Sequence, residues 1–112
     1  MNWQNDAVTI HEVVVKKWDV WSEEDGRFLA LAMAGEVGEL LNLIKKQWRG
    51  DFTPATMGAW REKLKEEFAD VRIYLELLAR SFDVDLDKAC EEKMPELLRR
   101  WPEAAKVINA KG

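Results

Sequence analysis

Trp60, Leu64, Phe68, Val71, Leu75 and Leu78 recur at steps of four and three. Side chains so spaced share one face of an α-helix and fit no strand. The stripe predicts a helix from about Ala55 to Phe82. Thr53 is placed to cap it, with Pro54 at its first position. The same period returns along most of the chain. Ile10, Val13, Val14 and Trp18 mark a first helix, from about Asn5 to Trp18. Phe28, Leu29, Ala32, Met33, Leu40, Leu43 and Ile44 mark a second, opened by a Ser22–Asp25 capping pattern and running to about Trp48. Asp85 caps a fourth helix from Leu86, which Pro95 is expected to kink or interrupt. A tail from Pro102 to Lys111 suits a short further helix. The stretch VTIHEVVV is rich in β-branched residues. It stands alone among helical segments and is read as helix. Helices joined by short loops pack as an antiparallel bundle, so the expected fold is all-α and four-helix bundle-like.

Composition narrows the function classes. A chain of 112 residues suits one domain, spanning 1–112, with a thin core for a lone monomer. At 47% hydrophobic and 34% charged it reads as globular. Six tryptophans are many for this size, and some are expected at a subunit interface or in a ligand pocket. A net charge of -4 gives no basic footprint for nucleic acid and suits a protein that concentrates cations. Cys90 is the only cysteine and His11 the only histidine. An internal disulfide, a cysteine zinc site and most histidine chemistry are thereby excluded. Cys90 is expected as a small core residue, and His11 at the surface or an interface. No apolar run approaches the ~18 residues of a membrane span, and the N-terminus lacks a signal-peptide pattern. The expected setting is the reducing cytoplasm.

The second helix contains AGEVGEL, with two glycines and two glutamates inside an apolar face. Glycine in a helix interior costs roughly 1 kcal/mol relative to alanine. A carboxylate facing the core costs more unless it is neutralised. Glu36 and Glu39 are three apart and share a face, as do Glu67 and Asp70. Register matters more than spacing. Glu36 lies in line with Leu29, Met33, Leu40 and Leu43, and Glu67 with Trp60, Leu64, Val71 and Tyr74. Glu-x-x-Glu is usually a solvated pattern, and Glu23, Glu24, Glu62, Glu66, Glu91 and Glu92 are read that way. Two pairs in register with two apolar stripes point instead to a cation site. Oxygen-only donors suit Mg²⁺ or Mn²⁺ rather than zinc or a di-iron centre. Gly35 and Gly38 would let a helix or ligand approach closely.

LAMAGEVGELLNLIKK followed by EEFADVRIYLELLARSFDVDLDKACEEK resembles the MazG-like all-α nucleoside triphosphate pyrophosphohydrolases, which include dCTP pyrophosphatases and dimeric dUTPases. The resemblance covers about Leu29 to Trp101. It implies that Glu36, Glu39, Glu67 and Asp70 hold Mg²⁺, and that Glu36 or Glu39 accepts the proton of the attacking water. It implies conversion of a nucleoside triphosphate to the monophosphate plus pyrophosphate, in nucleotide-pool housecleaning. It implies a homodimer or homotetramer; the charge and hydropathy already given argue for no nucleic-acid and no membrane partner. Lys93 matches a phosphate-binding lysine of many members, and Arg99 or Arg100 supplies the basic residue that follows. Lys45 and Lys46 are further candidates for phosphate, or else partners of a helix C-terminus. Trp18 and Trp21 are the better candidates to stack on the base, with Trp48 and Tyr74 behind them. Trp60 and Phe68 are read as core. Leu97 stands where many members have asparagine, and Pro95 is unusual in this helix. These departures suit an alternative reading: a non-catalytic nucleotide-sensing or oligomeric interaction module that retains the fold.

Overall fold

The structure is a computed structural model and describes residues 3–14 and 23–111. The described residues form five helices and no strand: α1 Trp3–Val14, α2 Glu23–Trp48, α3 Met57–Ser81, α4 Leu86–Arg100 and α5 Pro102–Lys111. The β-branched stretch through Val14 is helical, as its context predicts. The Ser22 cap and the end of the first helix near Trp18 lie outside the described residues.

Helix α3 is the central element, with α2 and α1 packed against it. One core cluster joins all three. Ala7 from α1, Leu29 from α2 and Leu77 from α3 are buried, with Val8, Tyr74 and Leu78 against them. Leu29 is fully buried, which is worth about 1.5–3 kcal/mol. Tyr74, a candidate for base stacking, serves this core instead. Leu77, not Leu75, points inward, and Phe68 is 54% exposed rather than core. Burial thus follows only part of the predicted stripe, because among the described residues α1 and α2 each cover one flank of α3 and leave the rest open.

The ends of α2 and α3 are closed by the same device. Gly50 adopts φ 88°. Its N–H donates to the Gln47 carbonyl, and the Asp51 N–H donates back to Lys46. Asp83, at φ 59°, repeats the pattern: its N–H donates to the Arg80 carbonyl and the Val84 N–H to Ala79. A left-handed residue after the last turn satisfies carbonyls that the helix leaves orphaned. Thr53 and Pro54 do not cap and open α3 as expected. They sit in a preceding turn in which Thr53 O accepts from the N–H groups of Thr56 and Met57. Asp85 does cap α4, its Oδ1 accepting from the Lys88 N–H at 3.1 Å. Pro95 lies inside a continuous α4 and does not interrupt it.

Among the described residues the bundle is not closed. Helix α4 packs chiefly on α5, and neither contributes a buried residue. Cys90, expected in a core, is exposed on α4. The radius of gyration is 17.9 Å, where a compact chain of this length would have about 13 Å. Leu31, Leu41, Phe68, Trp101 and Val107 are all exposed.

Candidate metal centre

The α2–α3 seam is set by an antiparallel register that can be read in sevens. The Trp60 Nε1–H donates to the Leu43 carbonyl at 3.1 Å. Phe52 packs on the same indole, ring centroids 6.1 Å apart and tilted by 50°. Seven residues back along α2 from Leu43 is Glu36, and seven forward along α3 from Trp60 is Glu67. Another seven in each direction gives Leu29 and Tyr74, which meet in the core. Seven residues are two helical turns, so each step returns to the same face. Apolar layers on both sides therefore hold a layer of carboxylates between them.

Among the described residues, Glu36, Glu67 and Asp70 each offer an oxygen lying within 4.8 Å of the others. Glu67 is the deepest, at 4% exposed. Its Oε1 meets Lys63 Nζ at 3.2 Å, while its Oε2 is buried with no hydrogen-bond partner. Burial, then repulsion from Glu39, Asp70 and Glu67, pushes the Glu36 carboxyl above its ordinary range, and Lys63 offsets part of this. Glu39 is exposed and stands outside the tight triplet. It lines an adjacent recess of about 320 Å³ with Asn42, Leu43, Lys46, Lys63 and Glu67. The residues fit a hard divalent cation: the donors are carboxylate oxygens, and a deeply buried one is left unpaired.

The other candidates are dispersed. Lys46 lines the recess, whereas Lys45 is exposed and does not. Lys93 and Arg100 both pair with Glu96 on α4, Arg100 at 3.0 Å, and neither reaches the recess of its own chain. Arg99 is exposed on the same helix. Trp48 is 84% exposed at the end of α2. Trp18 and Trp21 lie outside the described residues, as does the His11 side chain. Carbon atoms added at Gly35 or Gly38 would meet nothing within 4 Å, so no described helix uses that clearance. The tight glycine is Gly26, where a Cβ would fall 2.7 Å from Phe82 Cε2 and from Ser81 Oγ. Sequence reasoning missed Lys63 and Asn42. The signal for Lys63 was available in its place one turn before Glu67.

A second buried carboxylate, Glu76, stands on α3 outside this triplet. Burial raises its pKa above the ordinary range. Arg72 and a hydrogen bond from Gln4 oppose the shift, and Asp87 and Asp85 add to it. Gln4 also donates from Nε2 to the Val84 carbonyl at 2.9 Å, tying α1 to the turn before α4. No described helix is long and apolar enough to cross a membrane.

No protein-family model matches the chain, and no solved structure matches it significantly. Curated relatives do. The chain is 45% identical over 80 residues to dCTP pyrophosphatase 1 of Rattus norvegicus, and 46% identical over 80 residues to that of Homo sapiens. The Mus musculus protein of the same name is 45% identical over 80 residues. Each alignment covers 68% of this chain and 45% of the relative, so the chain spans less than half the length of the curated relatives it matches. The resemblance carried by the two acidic motifs is thus one of descent: the chain is a homologue of dCTP pyrophosphatase 1, a MazG-like nucleoside triphosphate pyrophosphohydrolase.

Proposed function

We propose that this chain is one domain that hydrolyses a (deoxy)nucleoside triphosphate to the monophosphate and pyrophosphate, with Mg²⁺ as cofactor and Mn²⁺ as substitute. One observation carries the reading. Carboxylates from two helices converge in the α2–α3 seam, and one buried oxygen among them has no partner. Such an arrangement is costly without a cation. The similarity to dCTP pyrophosphatase 1 supports this substrate class. The role in this reading is the clearing of surplus or non-standard nucleotides, in the cytoplasm.

In this reading Glu36, Glu67 and Asp70 hold the cation, with Glu39 beside them. The cation supplies charge neutralisation at phosphate oxygens and acidifies water. The protein's own groups do the rest. In this reading Glu39, which is exposed and lines the recess, accepts the proton, and Glu36 is the alternative acceptor. Lys46 and Asn42 line the recess where the phosphates would lie. Phosphoryl chemistry depends mainly on such positioning and neutralisation. Lys93 and Arg100 reach a site when α4 of one copy lies against α2–α3 of another. A homodimer or homotetramer would close the bundle and cover the exposed apolar residues. Sedimentation of a monomer at micromolar concentration would contradict that assembly.

The test is pyrophosphate release from a panel of dNTPs and NTPs, with and without Mg²⁺. Turnover of at least one nucleotide, abolished by chelator and by Glu39→Gln, is the expected result. No turnover by folded protein would refute the enzymatic reading and leave the non-catalytic module.

A further inference from the structure

We propose that Lys63 is an exchangeable counter-cation of this site: it neutralises Glu67 until a divalent ion arrives, then turns to the phosphates. The inference rests on the metal reading above. Glu67 is buried, and Lys63 is the cation paired with it, Nζ to Oε1 at 3.2 Å. The other Glu67 oxygen, buried and unpartnered, marks the place still open to a ligand. Lys63 reaches the carboxylate from outside. Its side chain is 58% exposed, and its second partner, Glu66 at 3.8 Å, is 69% exposed. A flexible ammonium held at one end by a buried charge releases readily when that charge is taken by an ion of twice its valence.

The place to which it is released is also defined. Lys63 lines the recess with Lys46, Asn42 and Glu39. Freed from Glu67, its ammonium and that of Lys46 would stand on one recess as two point charges for a polyphosphate. Binding of metal would then prepare the anion site, and an empty metal site would keep it partly cancelled.

Mn²⁺ binding to the full chain, followed by electron paramagnetic resonance without nucleotide, tests the first half. Lys63→Met removes the competitor and should tighten Mn²⁺ binding at least about fivefold. Lys65→Met removes the same charge, but Lys65 pairs with Glu62 and does not line the recess. It should change the affinity less than about twofold. Lys63→Gln serves where the methionine variant does not fold, with helicity checked by circular dichroism. Pyrophosphate added to Mn²⁺-loaded protein tests the second half, and Lys63→Met should bind it at least about threefold more weakly. Unchanged or weaker Mn²⁺ binding by both Lys63 variants would overturn the exchange. Unchanged pyrophosphate binding would overturn the turn to phosphate. Wild-type protein that binds no Mn²⁺ at millimolar concentration would overturn the metal reading itself, a result distinct from either.

Discussion

Replacing Glu67 by glutamine should make the chelated protein more stable and the metal-loaded protein less so. The substitution keeps the shape of the side chain. It removes a charge that is 4% exposed and an oxygen that has no partner. It also brings an amide N–H₂ to a place where Glu36 and Asp70 offer acceptors within 4.8 Å. An unsatisfied buried polar group costs about 1–3 kcal/mol. Loss of the Lys63 ion pair offsets part of the gain, because that ammonium is already largely in water. A net gain of about 1–2 kcal/mol in EDTA is expected, and each kilocalorie raises the melting temperature of a domain near this size by about 4–8 °C. Mn²⁺ at a hundred times its dissociation constant stabilises the wild type by about 2.7 kcal/mol and the variant hardly at all. The order of the two melting curves should therefore invert between chelator and metal. Differential scanning calorimetry at one fixed protein concentration measures both conditions. A variant that melts below wild type in EDTA, or curves that keep their order in Mn²⁺, would refute the account of Glu67.

Three other outcomes follow from the packing. The raised folded pKa of Glu76 means the native state holds that proton more tightly than the unfolded chain does. Stability from this group is therefore present below the ordinary carboxyl range and lost as pH rises from there through the folded pKa. Glu76→Gln should flatten that decline in a series of urea midpoints, and an unchanged slope would remove Glu76 as its source. Trp60→Phe deletes the indole bond to Leu43 and should cost about 0.5–1.5 kcal/mol in urea unfolding, with weaker Mn²⁺ binding as the seam loosens. Equal stability and equal Mn²⁺ affinity would show that the indole does not set the register. Leu29→Ala empties the centre of the three-helix core and should cost about 2–5 kcal/mol, read from the same unfolding curves.

Much of the candidate metal centre was legible because register is a local property. The alignment of Glu36 with Leu29 and Leu43, and of Glu67 with Trp60 and Tyr74, needs only helical geometry. Those alignments became the layers of the α2–α3 seam. The capped start of α4 at Asp85 was legible for the same reason. What failed was everything that depends on how many neighbours a helix has. Phe68 and Leu75 carry the stripe as clearly as Leu64 does, yet both are exposed, Phe68 the more so, because no described helix covers that flank. Cys90 is apolar enough for a core, but among the described residues α4 contributes none to one. Thr53 and Pro54 match a helix start, but two threonines compete for it. Thr56 Oγ1 accepts from the Thr53 N–H at 2.8 Å, which bends the chain into a turn first. Lys63 was passed over because an exposed lysine beside a glutamate is ordinary until the glutamate proves to be buried.

The division of the carboxylates between two helices bears on the chain's life before it is folded. A nascent polypeptide that has exposed α2 alone displays Glu36 and Glu39 on a free amphipathic segment, where each is simply hydrated. Glu67 and Asp70 emerge only after the Phe52 loop and the first turns of α3 have left the ribosome. The Glu36, Glu67 and Asp70 carboxylates come together only in the closed α2–α3 hairpin, where the Trp60 indole is bonded to the Leu43 carbonyl. An incomplete product therefore lacks the converged carboxylates, and under the proposed function divalent-ion binding would report that synthesis has passed α3 and that the hairpin has closed.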